Sequence, residues 1–359
     1  MAAHHGRRSP GQASEAGALG LGQHAPIGQA ATLEPTTGLG ASASAVASAS
    51  GGASPPTAYS LRQKSLFFID LSRSRSAVLS IGEAAVGALL AARGIPSLRV
   101  ILLGLLAAAA GYFCVYSLND LLDLRADREE VRGPHGEIEW NPEVRHMDIT
   151  TLRHPIAAGA LSVAAGIAWV SILGVVGVVA AYLLRPLCAI LFVACALLQV
   201  IYCSLKHKTW LKIVPAGVMV GLGALAGWFA VGHATWGALS FFVLLTSWEI
   251  FGRNISNDLA DVSHDKPLGI TTVATVRGPR AATTAILVGA CCMPLLGLLQ
   301  SGPLWTRVAL AVVALGTMTY PAFRLRRAGG ETAAQRYFNR ASYFPAISAA
   351  CLALLSLVH

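Results

Sequence analysis

Two stretches of the chain carry the same arrangement of carboxylates. The first reads Asn119-Asp120-Leu121-Leu122-Asp123-Leu124-Arg125-Ala126-Asp127-Arg128. The second reads Asn257-Asp258-Leu259-Ala260-Asp261-Val262-Ser263-His264-Asp265-Lys266. Each is N-D-L-x-D-x-x-x-D followed by a base, and together they hold six of the 18 acidic residues. On a continuous helix Asp120, Asp123 and Asp127 fall within about 60° of one another, and Asn119 widens the arc to about 100°. Asn257, Asp258, Asp261 and Asp265 repeat that stripe. Like charges so placed repel unless something neutralises them. Oxygen ligands without Cys or His suit a hard cation, Mg²⁺ first. Mg²⁺ often shares a few carboxylates with substrate phosphates, so two facing stripes and their metals suit a diphosphate. Solvated helix ends would explain one such cluster, but two copies at identical spacing point to a site.

Bases stand near both stretches. Arg128 and Lys266 follow the last aspartates, Arg253 lies one turn before Asn257, and Lys206 and Lys212 lie further along. Each is either part of an anion site or an ordinary topology charge. Glu83, inside an apolar run, is a functional candidate by its depth, with an ion pair between packed helices as the plainer reading. Tyr112 and Tyr116 precede Asp120 by two turns and one, where their rings could face a cation or simply pack. Glu249 and Arg253 are spaced as a helical ion pair.

The elements that must position these residues are membrane spans. Of 359 residues, 54% are hydrophobic and 13% charged, against about 25% charged in a soluble domain. That balance excludes an ordinary soluble enzyme, a disordered chain and a coiled coil. Apolar runs near the length of a bilayer crossing occur at about 76–92, 98–119, 161–184, 186–203, 213–231, 237–254, 281–300, 303–322 and 341–358. The sequence therefore predicts an all-α integral membrane protein of about nine transmembrane helices. The two motifs fall at the ends of the second and sixth spans. Of the 27 Lys and Arg residues, 23 lie in the N-terminal segment and the loops after spans two, four, six and eight. This places the N-terminus and both motifs on the cytoplasmic side and the C-terminus opposite. It also accounts for the +9 net charge without a nucleic-acid partner. The seven cysteines, with no C-x-x-C pair, read as small core residues. Residues 1–59 are Ala/Gly/Ser/Pro-rich and read as a disordered tail ahead of a transmembrane domain over 60–359.

The paired motifs resemble those of the UbiA superfamily of intramembrane prenyltransferases. Pro155-Ile156-Ala157-Ala158-Gly159-Ala160-Leu161-Ser162 is similar to that family's segment before helix three, and Tyr202-Cys203-Ser204-Leu205-Lys206 to its element after helix four. Residues 269–278 are similar to the segment after the second motif, and the likeness covers about residues 70–358. It implies a nine-helix bundle with an inner-side cap of loops, in a bacterial inner membrane. It implies Mg²⁺-dependent transfer of a prenyl group from a polyprenyl diphosphate to an aromatic or lipidic acceptor. Asn119, Asp120, Asp123 and Asp127 would hold one Mg²⁺, and Asn257, Asp258, Asp261 and Asp265 the other, with Asp123 and Asp261 central to catalysis. Arg128, Arg153, Lys206 and Lys266 would bind the diphosphate, and Tyr116, Tyr202 and Glu83 would line the substrate pocket. The family has Arg directly before Pro155, whereas this chain has His154, with Arg153 one place earlier. The long 128–152 loop is either an acceptor-specific part of the cap or a tolerated insertion. The same fold also allows phosphoribosyl transfer to a polyprenyl phosphate, or cyclisation of the prenyl chain. A secondary transporter is the rival from another class, but the acids sit at one membrane face and no paired Gly/Pro breaks adjoin the motifs.

Overall fold

The computed structural model describes residues 59–132, 152 and 154–358, the side chains of Glu130 and Arg132 aside. The expected tail up to residue 58, most of the 128–152 loop and Arg153 lie outside the described residues. Tyr59 packs its ring edge-on to Phe67. All regular structure among the described residues is helical.

Two helices lead in: α1 (Leu61–Leu71) and α2 (Ser74–Ala92). Next come α3 (Leu98–Leu122), the short α4 (Leu124–Arg132), α5 (Val163–Leu184) and α6 (Pro186–Leu205). A 3₁₀ turn at Trp210–Lys212 opens α7 (Ile213–Phe229). The sixth span is α8 (Trp236–Ser247), a π-helical segment (Trp248–Asn254) and α9 (Ile255–Ala260), followed by α10 (Val262–Asp265) and α11 (Val273–Arg277). The chain ends with α12 (Pro279–Leu298), α13 (Leu304–Ala314), α14 (Tyr320–Ala328), α15 (Gly330–Ala341) and α16 (Phe344–Val358).

Eight of the described helical stretches are long and apolar enough to cross a bilayer. Residues 236–260 hold the sixth expected span, which is not among those eight; Glu249, Arg253, Asn254 and Asn257 lie on it. The chain is thus an all-helical integral membrane protein built on the predicted spans. Helix starts follow local chemistry. Pro186 and Pro279 occupy first-turn positions, where a missing N–H costs nothing. Ser162 and Thr235 cap α5 and α8 by accepting from Ala165 and Ala238 backbone N–H groups.

Packing depends on small residues, because lipid supplies no hydrophobic drive between helices. Gly227 on α7 is the clearest case: a Cβ there would stand 2.0 Å from the Ala84 carbonyl oxygen of α2. The polar α15 lies before the last span and packs against α9, so it supports the second motif. The motif helices are not straight, as a continuous stripe required. Helix α3 ends at Leu122 and α9 at Ala260, leaving Asp123 (φ −90°, ψ 1°) and Asp261 (φ −104°, ψ 12°) as the joints. At each joint the asparagine amide four residues back donates to the aspartate, Asn119 to Asp123 at 3.3 Å and Asn257 to Asp261 at 3.4 Å. The sequence repeat is therefore also a conformational repeat.

Candidate active site

Each motif carries its own set of bases. Lys206, at the end of α6, places Nζ 3.0 Å from Asp123 Oδ2. Lys212, on the 3₁₀ turn, places Nζ 3.0 Å from Asp258 Oδ1 and is 2% exposed. Its ammonium also lies over the Tyr202 ring, 5.5 Å from the centroid. Arg73, between α1 and α2, reaches Asp120 at 3.4 Å and covers the Tyr116 ring at 5.9 Å. Its left-handed φ of 43° is uncommon outside glycine and is held by the helix junction. His154 Nδ1 lies 3.1 Å from Asp127 and 3.7 Å from Asp120. The position next to Pro155 thus faces the first motif as a histidine. Asp120, Asp127 and His154 bring one ligand atom each within 4.8 Å of the others, so an imidazole joins the all-oxygen set read from the motif.

Two expected diphosphate ligands stand elsewhere. Arg128 and Lys266 are exposed, and among the described residues neither pairs with a motif carboxylate. The reason is helical geometry: the residue after the last aspartate is turned about 100° from the stripe. Arg73, Lys212 and His154 occupy the inward positions instead. Arg73 lies 47 residues from Asp120, and no local pattern joins them. Gln199 was also missed; its amide donates to Asn119 Oδ1 at 2.8 Å, one helix across.

The charges explain the titration of the loops at the motifs. Burial opposes the charge on His154, but Asp120 and Asp127 outweigh it and the imidazole titrates above its ordinary range. Lys206 behaves likewise, with Asp123 overcoming burial. Burial, then Asp258 and Asp261, push the Asp265 carboxyl up to about 7. Carboxylates so crowded call for a cation.

Polar groups of both motifs line one cavity of about 410 Å³, among them Asn119, Asn257 and Asp258. Tyr116, Tyr202, Gln199 and Arg253 line the same part of its wall. Arg253 donates to the Tyr116 hydroxyl at 3.1 Å and to Ser80 at 3.3 Å, and lies 3.7 Å from Glu249. The π-helical turn brings Glu249, Arg253 and Asn254 to that wall together. Such turns recur at functional sites because they re-aim side chains within a helix. From there the lining becomes apolar and follows α3 past Val115, Gly111 and Ala108 to Gly104 and Val100. That is about 28 Å at 1.5 Å per residue. Glu83 is fully buried beside the cavity and accepts from Tyr112.

Loops close the polar end. The Lys206 carbonyl accepts from the Thr271 N–H at 3.0 Å and from its hydroxyl at 3.1 Å, tying the loop after α6 to the one after α10. Phe67 and Leu71 of α1 pack on Ile156, Ala160 and Leu161, with Leu121 and Leu124 of the first motif alongside. The Leu152 N–H donates to Asp70. This is the expected cap, with α1 as a part the sequence did not mark.

A helical membrane bundle with two aspartate motifs at the head of an intramembrane cavity defines a class that the comparisons identify. The UbiA prenyltransferase family matches residues 81–343, and the chain belongs to it. The fold is similar to that of a UbiA homologue from Aeropyrum pernix K1 in its apo form, at 19% identity and a TM-score of 0.61, over 77% of this chain and 97% of that one. It is also similar to a UbiA homologue from Archaeoglobus fulgidus bound to GPP and Mg²⁺, at 15% identity and a TM-score of 0.58, over 79% of this chain and 99% of that one. A structure described for digeranylgeranylglyceryl phosphate synthase matches at 18% identity and a TM-score of 0.58, over 83% of this chain and 100% of that one. No curated protein sequence matches the chain.

Proposed function

We propose that the protein transfers a prenyl group from a polyprenyl diphosphate to a small acceptor inside the membrane, with Mg²⁺. The observation that carries the reading is one cavity whose polar end is lined by Asn119 of the first motif and Asn257 and Asp258 of the second, and whose remainder is an apolar channel between helices. A molecule with a doubly charged head and a long hydrocarbon tail fits that division. The fold likeness to a homologue bound to GPP and Mg²⁺ supports it.

The donor set fits Mg²⁺: oxygens dominate, they are crowded, and several are buried with too few bases to neutralise them. Asn119, Asp120, Asp123 and Asp127 would hold one ion, and Asn257, Asp258, Asp261 and Asp265 the other. Bound there, Mg²⁺ would neutralise the diphosphate and make it a better leaving group. Lys206, Lys212 and Arg73 carry the remaining positive charge toward the head group. His154 balances Asp120 and Asp127. Tyr116 and Tyr202 line the cavity wall, with Arg73 and Lys212 over their rings. The cap excludes water, which would otherwise capture the allylic cation. The transmembrane domain over residues 60–359 contains all of these groups.

The test is Mg²⁺-dependent diphosphate release by purified protein, offered prenyl diphosphates together with an extract of small molecules. Release is expected in wild type and reduced by at least about 100-fold in Asp123→Asn and in Asp261→Asn. Equal release by folded variants would remove the assignment.

A further inference from the structure

One large side chain stands in the wall of the apolar channel against two bare stretches of helix. Phe192 of α6 lines the channel with Gly111, Ala107 and Ala108 of α3. A Cβ at Gly177 of α5 would stand 2.5 Å from the ring carbons Cε2 and Cζ, and one at Gly111 would stand 3.0 Å from Cε2. The ring therefore lies directly on the backbones of α3 and α5, and it fits there only because both positions are glycine.

The depth of that ring can be read along both helices. Gln199 of α6 bonds Asn119 of α3 at 2.8 Å, so the helices share a level at the first motif. Phe192 precedes Gln199 by two turns and Gly111 precedes Asn119 by a little more, which puts the ring about 10 to 12 Å from the motif. Four carbon–carbon bonds of about 1.5 Å, laid in a zigzag, make an isoprene unit about 5 Å long. A donor with its diphosphate at the motifs therefore brings its third unit to Phe192. Past the ring the channel continues to Val100, about 28 Å from Asn119, with room for about five units. The wall stays open on the way: a Cβ at Gly104 would meet nothing within 4 Å.

Resting on the prenyl-transfer reading, we infer that Phe192 sets the length of tail the channel admits, that Gly111 and Gly177 park its ring out of the path, and that the donor carries four or more isoprene units. A hydrocarbon tail gains little from a protein wall over lipid, because the two are equally apolar. Length is therefore selected by where the wall closes rather than by attraction to it. Behind Phe192 the space is taken by Ala181, Cys188 and Ala189, against which it packs. Its unfilled side is the channel. A methyl group at Gly177 must displace the ring, and the ring turns into the channel at the level of the third unit. A tail of two units ends short of that level and is unaffected. Phe192 determines specificity and touches no reacting atom.

The test measures binding of geranyl and geranylgeranyl thiolodiphosphates, with tails of two and four units, to full-length protein in lipid nanodiscs with Mg²⁺. Wild type is expected to bind both, the longer at least as tightly as the shorter. Gly177→Ala should weaken the longer analogue at least about tenfold and leave the shorter within about twofold. Adding Phe192→Ala to Gly177→Ala should restore the longer analogue to within about threefold of wild type, whereas a general packing defect would deepen. Phe192→Trp, with both glycines intact, should reproduce the selective loss, and it decides the question alone if Gly177→Ala does not fold. Wild type that binds the shorter analogue and refuses the longer, equal losses for both analogues, no loss in folded Gly177→Ala or Phe192→Trp, or a loss that persists in the double variant would overturn the assignment. Folded wild type that binds neither analogue would overturn the diphosphate reading itself, and this assignment with it.

Discussion

Asp265 shows what the acidic motifs require. Burial and the neighbouring Asp258 and Asp261 raise its carboxyl to about 7, so near neutrality it is only partly ionised until a cation arrives. A metal must displace that proton, so metal affinity rises as pH climbs through the raised value and falls below it. The Mg²⁺ concentration giving half-maximal donor binding is therefore expected to drop several-fold between about pH 6 and pH 8. Titration of Mg²⁺ at the two pH values checks it, and a flat response would show that Asp265 is not a ligand. The carboxylate spacing was legible because it is written twice in identical form. The bases were less so. Arg128 and Lys266 adjoin the motifs in sequence but lie off the stripe, whereas Arg73, Lys212 and His154 reach it from other elements. Adjacency along a chain does not specify direction in space; only the fold supplies the second coordinate.

The spans were legible in the elements because a bilayer demands about 20 apolar residues and leaves few alternatives to helix. The breaks at Asp123 and Asp261 were not, since neither motif contains Gly or Pro to announce one. They are held by asparagine side chains that bond forward to the second aspartate of each motif, a contact that spacing alone does not predict. The π-helical turn before the second motif was hidden as well; Trp248, Glu249 and Arg253 are buried on it. Close approach of α2 and α7 frames the cavity, and Gly227 sets it. Replacing Gly227 by Val drives a side chain into the Ala84 carbonyl, and neither backbone can yield without opening the bundle. Gly227→Val should destabilise the protein by about 3 kcal/mol or more. Gly316→Ala, where a Cβ meets nothing within 4 Å, should stay within about 1 kcal/mol of wild type. Thermal unfolding of the two variants in the same detergent distinguishes them; equal stability would mean the helices are not held this closely.

At the scale of the whole molecule, the proposed prenyl transfer needs the site on the side where charged donors and metal are found, and orientation decides that. The cap is formed by α1, the 154–161 segment and the loops after α6 and α10. Those loops hold the bases that crowd one side of the bundle, whereas the opposite loops carry only Arg93, Arg99, Arg185 and Arg307. Translocating the rich side would move many more cations across the membrane than translocating the poor side, so we propose that the cap faces the cytoplasm. Two of the four bases opposite are already spent on structure: Arg99 donates to the Leu183 carbonyl at 3.0 Å and Arg185 to the Gly232 carbonyl at 2.7 Å, closing helix ends rather than marking a side. A cysteine introduced at His207, exposed in the loop after α6, should be shielded from a membrane-impermeant maleimide in intact cells and react after lysis. One introduced at Ala234, exposed in the loop before α8, should react in both. The reverse pattern would place the aspartate motifs outside, away from cytoplasmic Mg²⁺ and soluble diphosphate chemistry, and would require a donor delivered from the other leaflet.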